Sequence, residues 1–133
     1  MTEDRVLLDA CVVVALATEG IGSVERKTRA LLESEHTLRL LSSLSIQEIA
    51  QKVNRGRLAL AEKLMTATLF DLAATVLPYN ESHARRLFRL PLHPKHSDPI
   101  DRMLVCTALC ENLPIVTSDR SFAHYKGLRS IAV

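Results

Sequence analysis

Four acidic residues stand where short apolar runs begin or give out. Asp9 follows Val6-Leu7-Leu8, Glu48 precedes Ile49-Ala50, Asp101 opens onto Met103-Leu104-Val105, and Asp119 comes just after Ile115-Val116-Thr117. Two carboxylates brought to about 4 Å repel by roughly 4 kcal/mol at an effective dielectric near 20, so a pocket of them takes up protons or holds a cation. A hard divalent ion such as Mg²⁺ prefers carboxylate and water oxygens. Bound there, it lowers the pKa of a water and screens a phosphate. The chemistry on offer, if the four residues meet, is metal-assisted attack of water on a phosphodiester. Asp9 and Asp101 would be the main ligands, with Glu48 and Asp119 orienting water or holding a second ion.

Each acid also has a plainer use. Ser45 and Glu48 have the spacing of a capping box. Asp98 before Pro99 reads as a helix N-cap followed by proline at the first helical position. Asp101, three residues on, would then complement the helix dipole. Asp119 suits a turn after a strand. Asp9 is hardest to explain this way, because an acid between a buried strand and an apolar helix needs a partner. Capping and turn duties would scatter the acids over the molecule, whereas one sheet edge would account for all four.

The elements that must position them are legible from periodicity and punctuation. Val6–Leu8, Leu38–Leu41, Ala74–Leu77 and Ile115–Thr117 read as strands, with a short fifth at Leu128–Ile131. Helices are expected over Ala10–Ala17, Val24–Ser34, Ser42–Val53, Ala59–Leu72, Glu81–Phe88 and from Asp98 to about Glu111, with a proline-marked loop at Leu90–Ser97. Val24, Ala30 and Leu31 are candidate buried positions of the second helix, and Ile46, Ile49, Ala50 and Val53 form an apolar stripe on the third. Strands alternating with helices specify an α/β fold with a mostly parallel sheet. In such sheets ligands bind beyond the carboxyl ends of the strands, and Asp9 and Asp119 fall there. Glu48 and Asp101 are placed in the first turns of their helices.

The chain of 133 residues suits one domain, 1–133, and 47% apolar composition argues against disorder. The start lacks the basic stretch and cleavage site of a signal peptide, and the longest uncharged apolar stretch, Ala10–Thr18, is too short to span a bilayer. The expected location is the cytoplasm. Cys11, Cys106 and Cys110 are an odd number in apolar settings, which favours buried free thiols over disulfides. Cys106 and Cys110 with His93 and His96 make zinc conceivable, but no CxxC pair supports it. Net charge is only +2, yet Lys52, Arg55 and Arg57 cluster, as do Arg85, Arg86, Arg89, Lys95 and His83, His93 and His96. Basic patches around an acidic pocket suit a polyanion. Lys52, Arg55, Arg85, Arg86 and Arg102 are the candidate phosphate contacts. With 4% aromatic residues and no Trp, base stacking adds little and phosphate contact should dominate.

Four blocks together resemble a known family. Val6-Leu7-Leu8-Asp9-Ala10, Ser42-Ser43-Leu44-Ser45-Ile46-Gln47-Glu48-Ile49-Ala50, Asp98-Pro99-Ile100-Asp101-Arg102-Met103-Leu104-Val105-Cys106-Thr107-Ala108 and Pro114-Ile115-Val116-Thr117-Ser118-Asp119-Arg120 resemble the PIN-domain nucleases, in the family's order and rough spacing. The nearest likeness is to VapC-like toxins of bacterial toxin–antitoxin pairs. The resemblance implies a three-layer α/β/α fold around a mostly parallel sheet of four to five strands. It implies a Mg²⁺- or Mn²⁺-dependent ribonuclease, usually dimeric, held inactive by a cognate antitoxin. The family's four acids map onto Asp9, Glu48, Asp101 and Asp119, with Asp9, Asp101 and Asp119 as metal ligands. Thr117 matches a hydroxyl often found beside the fourth acid, and Asp98 is a supporting acid of the third block. Ala10 departs from the pattern, since many relatives carry Thr or Ser there. The residues leave RNA and DNA substrates undistinguished. A degenerate domain that only binds RNA or protein is the further alternative.

Overall fold

The apolar run after residue 4 forms the centre of a five-stranded sheet. The computed structural model describes residues 4–133. Its strands are β1 (Asp4–Leu8), β2 (Thr37–Ser42), β3 (Thr75–Leu77), β4 (Ile115–Thr117) and β5 (Ser130–Ala132). They lie in the order β3-β2-β1-β4-β5, and every pairing is parallel. The helices are α1 (Ala10–Glu19), α2 (Arg26–Glu33), α3 (Ser43–Asn54), α4 (Glu62–Asp71), α5 (Glu81–Arg86) and α6 (Pro99–Glu111). Short 3₁₀ turns at Ile21–Ser23, Leu87–Arg89 and Arg120–His124 connect them.

Register explains the two cores. Leu7 pairs with Leu40 and Ile115, while Leu8 pairs with Leu41 and Val116. Because successive strand residues point to opposite faces, the first trio packs beneath α6, with Leu104, Val105, Ala108 and Phe122. The second trio packs against α1, α2 and α4, with Val12, Val13, Leu32 and Met65. The sheet is thereby covered on both faces, as a parallel sheet of short apolar strands requires. The chain leaves β1 toward β2 and β3, then returns past β1 to add β4 and β5. The strand order therefore reverses between β1 and β4, and it is beyond the carboxyl ends at such a switch point that open parallel sheets bind ligands.

Local chemistry sets the helix starts. Asp98 caps α6 by accepting from the Asp101 N–H at 3.0 Å, with Pro99 behind it, as expected. Ser42 caps α3 by accepting from the Leu44 N–H at 3.1 Å. The Ser45–Glu48 capping box is therefore not made, and Glu48 lies in the second turn rather than the first. The fourth helix is shorter than its composition suggests, starting at Glu62 instead of Ala59. Helix α2 buries Thr28 and Leu32, while Ala30 is exposed. The Thr28 hydroxyl donates to the Ala132 carbonyl at 2.6 Å, which ties that face to β5. On α3 only Ile49 of the apolar stripe is buried; Ala50 and Val53 remain exposed on a groove shared with Leu60 and Met65 of the α4 side. Among the described residues, no helix is long and apolar enough to cross a membrane.

Candidate active site

Asp9 follows directly on β1 and is 7% exposed. One carboxylate oxygen accepts from the Ala10 N–H at 2.8 Å, which caps α1. The other accepts from the Thr117 hydroxyl at 2.7 Å. That hydroxyl accepts in turn from the Asp119 N–H at 3.0 Å. Thr117, at the end of β4, thus links the acid after β1 to the acid after β4 across the switch point. Asp119 also accepts from the Ser121 N–H at 2.8 Å and starts the last 3₁₀ turn. Beside Asp9, where Ala10 offers no hydroxyl, the Cys11 thiol lies 3.5 Å from Asp9 Oδ2. Burial above all, with the Asp9 charge second, pushes that thiol up, so it stays protonated as a weak donor.

Asp101 projects from the first turn of α6, where the preceding cap and proline fix its backbone. Its carboxyl is pushed up from 3.8 to about 7, chiefly by burial and then by Asp9, Asp98, Glu48 and Asp119. All four neighbouring acids therefore lie close enough to Asp101 to act on its charge. Glu48 is also pushed up, first by burial and then by Asp9 and Asp98, while Lys52 one turn along α3 opposes the shift. Carboxylates from four separate segments have come together at one edge of the sheet.

One member of the cluster was not anticipated. His96, 4% exposed, brings its Nε2 to 3.5 Å from Asp101 Oδ2. Ligand atoms of His96, Asp101 and Asp119 all lie within 4.8 Å of one another. Among the described residues this is the one His/Cys/Asp/Glu group with metal-holding spacing. Asp9 stands outside it, its two oxygens engaged by Ala10 and Thr117. The donors suit a divalent cation, and two features ask for one: the carboxyl of Asp101 is costly to ionise alone, and His96 Nε2 is buried without a hydrogen-bond partner. The sequence offered little signal for His96, which sits in an irregular loop and entered only the basic cluster and the conceivable zinc set. Burial lowers its pKa despite the nearby Asp119 and Asp98, so the ring is held neutral. The conceivable zinc set falls apart: Cys106 is buried in the α6 core, Cys110 is exposed, and all three thiols are free.

The expected phosphate contacts divide. Lys52 is exposed and lines, with Glu48, Arg57 and one face of α1, a cavity of about 410 Å³. Arg55 is exposed at the end of α3. Arg85 is exposed and paired with Glu81 at 2.6 Å. Arg86 is half-buried and lines a second, basic cavity of about 340 Å³ with Arg89, His93, His124 and Lys126. Arg102 is not where a phosphate contact should be. It is 9% exposed, and its guanidinium donates to the carbonyls of Leu90 and Pro91 at 3.1 and 3.0 Å and to the Tyr125 hydroxyl at 3.2 Å. Its place in the first turns of α6 turns it into the loop before the helix. His83 likewise leaves the basic patch: it is fully buried, completes the Asn80 capping box and meets Glu111 at 2.8 Å.

The architecture and the gathered acids agree with a match to the model of the PIN domain over residues 6–128. The chain belongs to the PIN domain family. Solved structures share the fold of this PIN domain along nearly its whole length. VapBC2 from Rickettsia felis, bound to a DNA fragment from its promoter, superposes with a TM-score of 0.74 at 13% identity, covering 96% of this chain and 98% of that one. DNA-bound VapBC from Salmonella typhimurium gives 0.67 at 19% identity, with 97% and 98% covered. FitAcB from Neisseria gonorrhoeae gives 0.60 at 17% identity, with 95% and 96% covered. No curated protein matches the sequence.

Proposed function

We propose that this PIN domain is a divalent-metal-dependent endoribonuclease, requiring Mg²⁺ or Mn²⁺, and the toxin of a toxin–antitoxin pair acting in the cytoplasm. The observation that carries the reading is the convergence of Asp9, Glu48, Asp101 and Asp119 at one edge of the sheet, with Asp101 raised to about 7 first by burial and then by the charges of its neighbours. Such mutual repulsion costs stability and is relieved by a cation, which is the signature of a functional centre rather than of four independent caps.

In this reading Asp101 and Asp119 hold the ion, and Asp9 faces it from the β1 edge, oriented by Thr117 and the Ala10 N–H. Such a cation, when bound, supplies a water of lowered pKa and neutralises charge on the phosphodiester. Glu48 orients the attacking water, and its pKa, raised above the usual carboxylate range by burial, makes it a stronger base than an exposed glutamate. Asp98 holds the start of α6, and so Asp101, in place through its bond to the Asp101 N–H. Lys52 and Arg55 on α3 contact flanking phosphates, and Arg85 and Arg86 extend the basic track.

The antitoxin assignment is supported by the fold shared with toxin–antitoxin complexes, and by exposed apolar side chains such as Phe70, Phe88 and Leu92 that favour partner contacts. A homodimer belongs to the same reading. The deciding experiment incubates the purified protein with single-stranded RNA and DNA of one sequence, with Mg²⁺ or Mn²⁺ and then with EDTA. RNA cleavage that EDTA stops and Asp9→Asn abolishes is expected. Cleavage of DNA alone would move the protein to DNA processing, and binding without cleavage would make it a non-catalytic domain. Co-purification with the product of the adjacent upstream reading frame checks the partner.

A further inference from the structure

His96 is held by the molecule with unusual completeness for a loop residue. Its N–H donates to the His93 carbonyl at 3.1 Å, and the two residues form an isolated antiparallel bridge. The ring packs against Phe122 and Tyr125, each with centroids 5.0 Å away. Its Nδ1 meets the Tyr125 hydroxyl at 2.6 Å. That hydroxyl also accepts from Arg102 at 3.2 Å and lies 3.3 Å from the His96 carbonyl, toward which it donates its single proton. In the arrangement in which Tyr125 spends its proton on that carbonyl, the hydroxyl accepts from the ring and the ring proton sits on Nδ1. A neutral ring protonated there presents a bare lone pair at Nε2. That atom is buried, has no hydrogen-bond partner and faces Asp101 and Asp119.

A lone pair aimed at two carboxylates repels them unless a proton or a cation lies between, and a cation alone serves all three donors at once. Donors bonded to one ion at about 2.1 Å and at angles of 90–110° are themselves roughly 3.0–3.5 Å apart. His96 Nε2 and Asp101 Oδ2, at 3.5 Å, have that separation. Metal-binding histidines also characteristically donate their other ring N–H to a fixed partner, the place Tyr125 takes here.

We propose that His96 is a direct ligand of the centre, binding the divalent cation through Nε2 beside Asp101 and Asp119, and that this nitrogen gives the site a preference for borderline cations such as Mn²⁺ over Mg²⁺. The proposal rests on the metal-dependent reading above and goes beyond its carboxylate ligands. Imidazole suits first-row transition ions, whereas Mg²⁺ takes oxygen ligands and dehydrates reluctantly. Arg102, Tyr125 and the loop before α6 then act as positioning groups for this ligand.

The test uses the whole chain, with metal salts as the only ligands. Pulsed electron paramagnetic resonance on the Mn²⁺-loaded wild-type protein should show coupling to a directly bound ¹⁴N. His96→Asn keeps a polar group near the Nδ1 position for Tyr125 and deletes the Nε2 donor. By calorimetry it should lose at least the roughly 10- to 100-fold in Mn²⁺ affinity that loss of an outer partner brings, while Mg²⁺ affinity changes by less than about 3-fold. Absence of nitrogen coupling in the wild type, with metal bound, overturns the proposal and leaves the nuclease reading standing. Equal losses for both ions, or none, in a folded variant overturn it too. Failure of the wild type to bind either ion would sink the nuclease reading itself. Should His96→Asn not fold, the resonance measurement on the wild type still decides.

Discussion

Replacing Asp101 with Asn should stabilise the metal-free protein at alkaline pH while removing its metal response. The folded protein raises this carboxyl from 3.8 to about 7. The folded form therefore holds the proton more tightly than the unfolded chain. The associated stability is fully present below pH 3.8 and is lost as pH rises through about 7. The whole span corresponds to roughly 4 kcal/mol at 1.36 kcal/mol per pH unit. Asp101 retains 18% side-chain exposure and water screens its neighbours, so we take about 2 kcal/mol. Against this stands the lost attraction between the charge and the N-terminus of α6, about 0.3–1 kcal/mol. Removal of a buried and repelled charge wins. Asp101→Asn should be more stable than wild type by about 1–2 kcal/mol at pH 8 in EDTA, a Tm rise of roughly 3–8 °C. Near pH 4 the difference should vanish or reverse. Saturating Mn²⁺ should raise the wild-type Tm and leave the variant unmoved. Thermal melts of both proteins at pH 4, 6 and 8, with EDTA and with Mn²⁺, supply the measurement. A variant less stable than wild type at pH 8 in EDTA, or an offset that does not change with pH, would refute the account of the acidic cluster.

Asp9→Asn should abolish cleavage yet remain folded, losing about 1 kcal/mol in urea melts because one amide oxygen replaces two carboxylate acceptors. Thr117→Val should cost about 1–3 kcal/mol by leaving Asp9 Oδ2 and the Asp119 N–H without their shared partner, and should lower activity by loosening both acids. Arg102→Ala should destabilise by about 2–4 kcal/mol, since it strands two carbonyls and a hydroxyl. Lys52→Ala should leave stability within about 0.5 kcal/mol of wild type. In RNA-binding titrations it should reduce the slope of log K against log salt by about 0.7, whereas a flat salt response in the wild type would dismiss phosphate contact as the source of affinity.

Much of the fold was legible because its determinants are local. The apolar runs, the alternation of helices and strands, and the Asp98-Pro99 start of α6 are short-range signals, and each produced its element. Where reading went astray, a tertiary contact had overridden a local one. Ala30 looked like a core residue of α2, but the helix turns Thr28 inward to bond β5. Ser45 and Glu48 looked like a capping box, but Ser42 had already started α3 at the end of β2. Arg102 looked like a cation for phosphate, but the loop before α6 folds back to supply two carbonyl oxygens for it and Tyr125, after β4, supplies a hydroxyl.

The sequence by itself determined which side chains could do chemistry and that four acids lie at the ends of strands or in the early turns of helices, since hydrophobic periodicity and caps act over a few residues. Only the tertiary structure decided their company. It placed Thr117 between Asp9 and Asp119, drew Asp101 into a field of four other carboxylates, and set a neutral His96 against them from a loop with no periodicity to read. Those relations depend on β1 and β4 being neighbours and on the loop packing under Tyr125, contacts between segments far apart in the chain that no local pattern encodes.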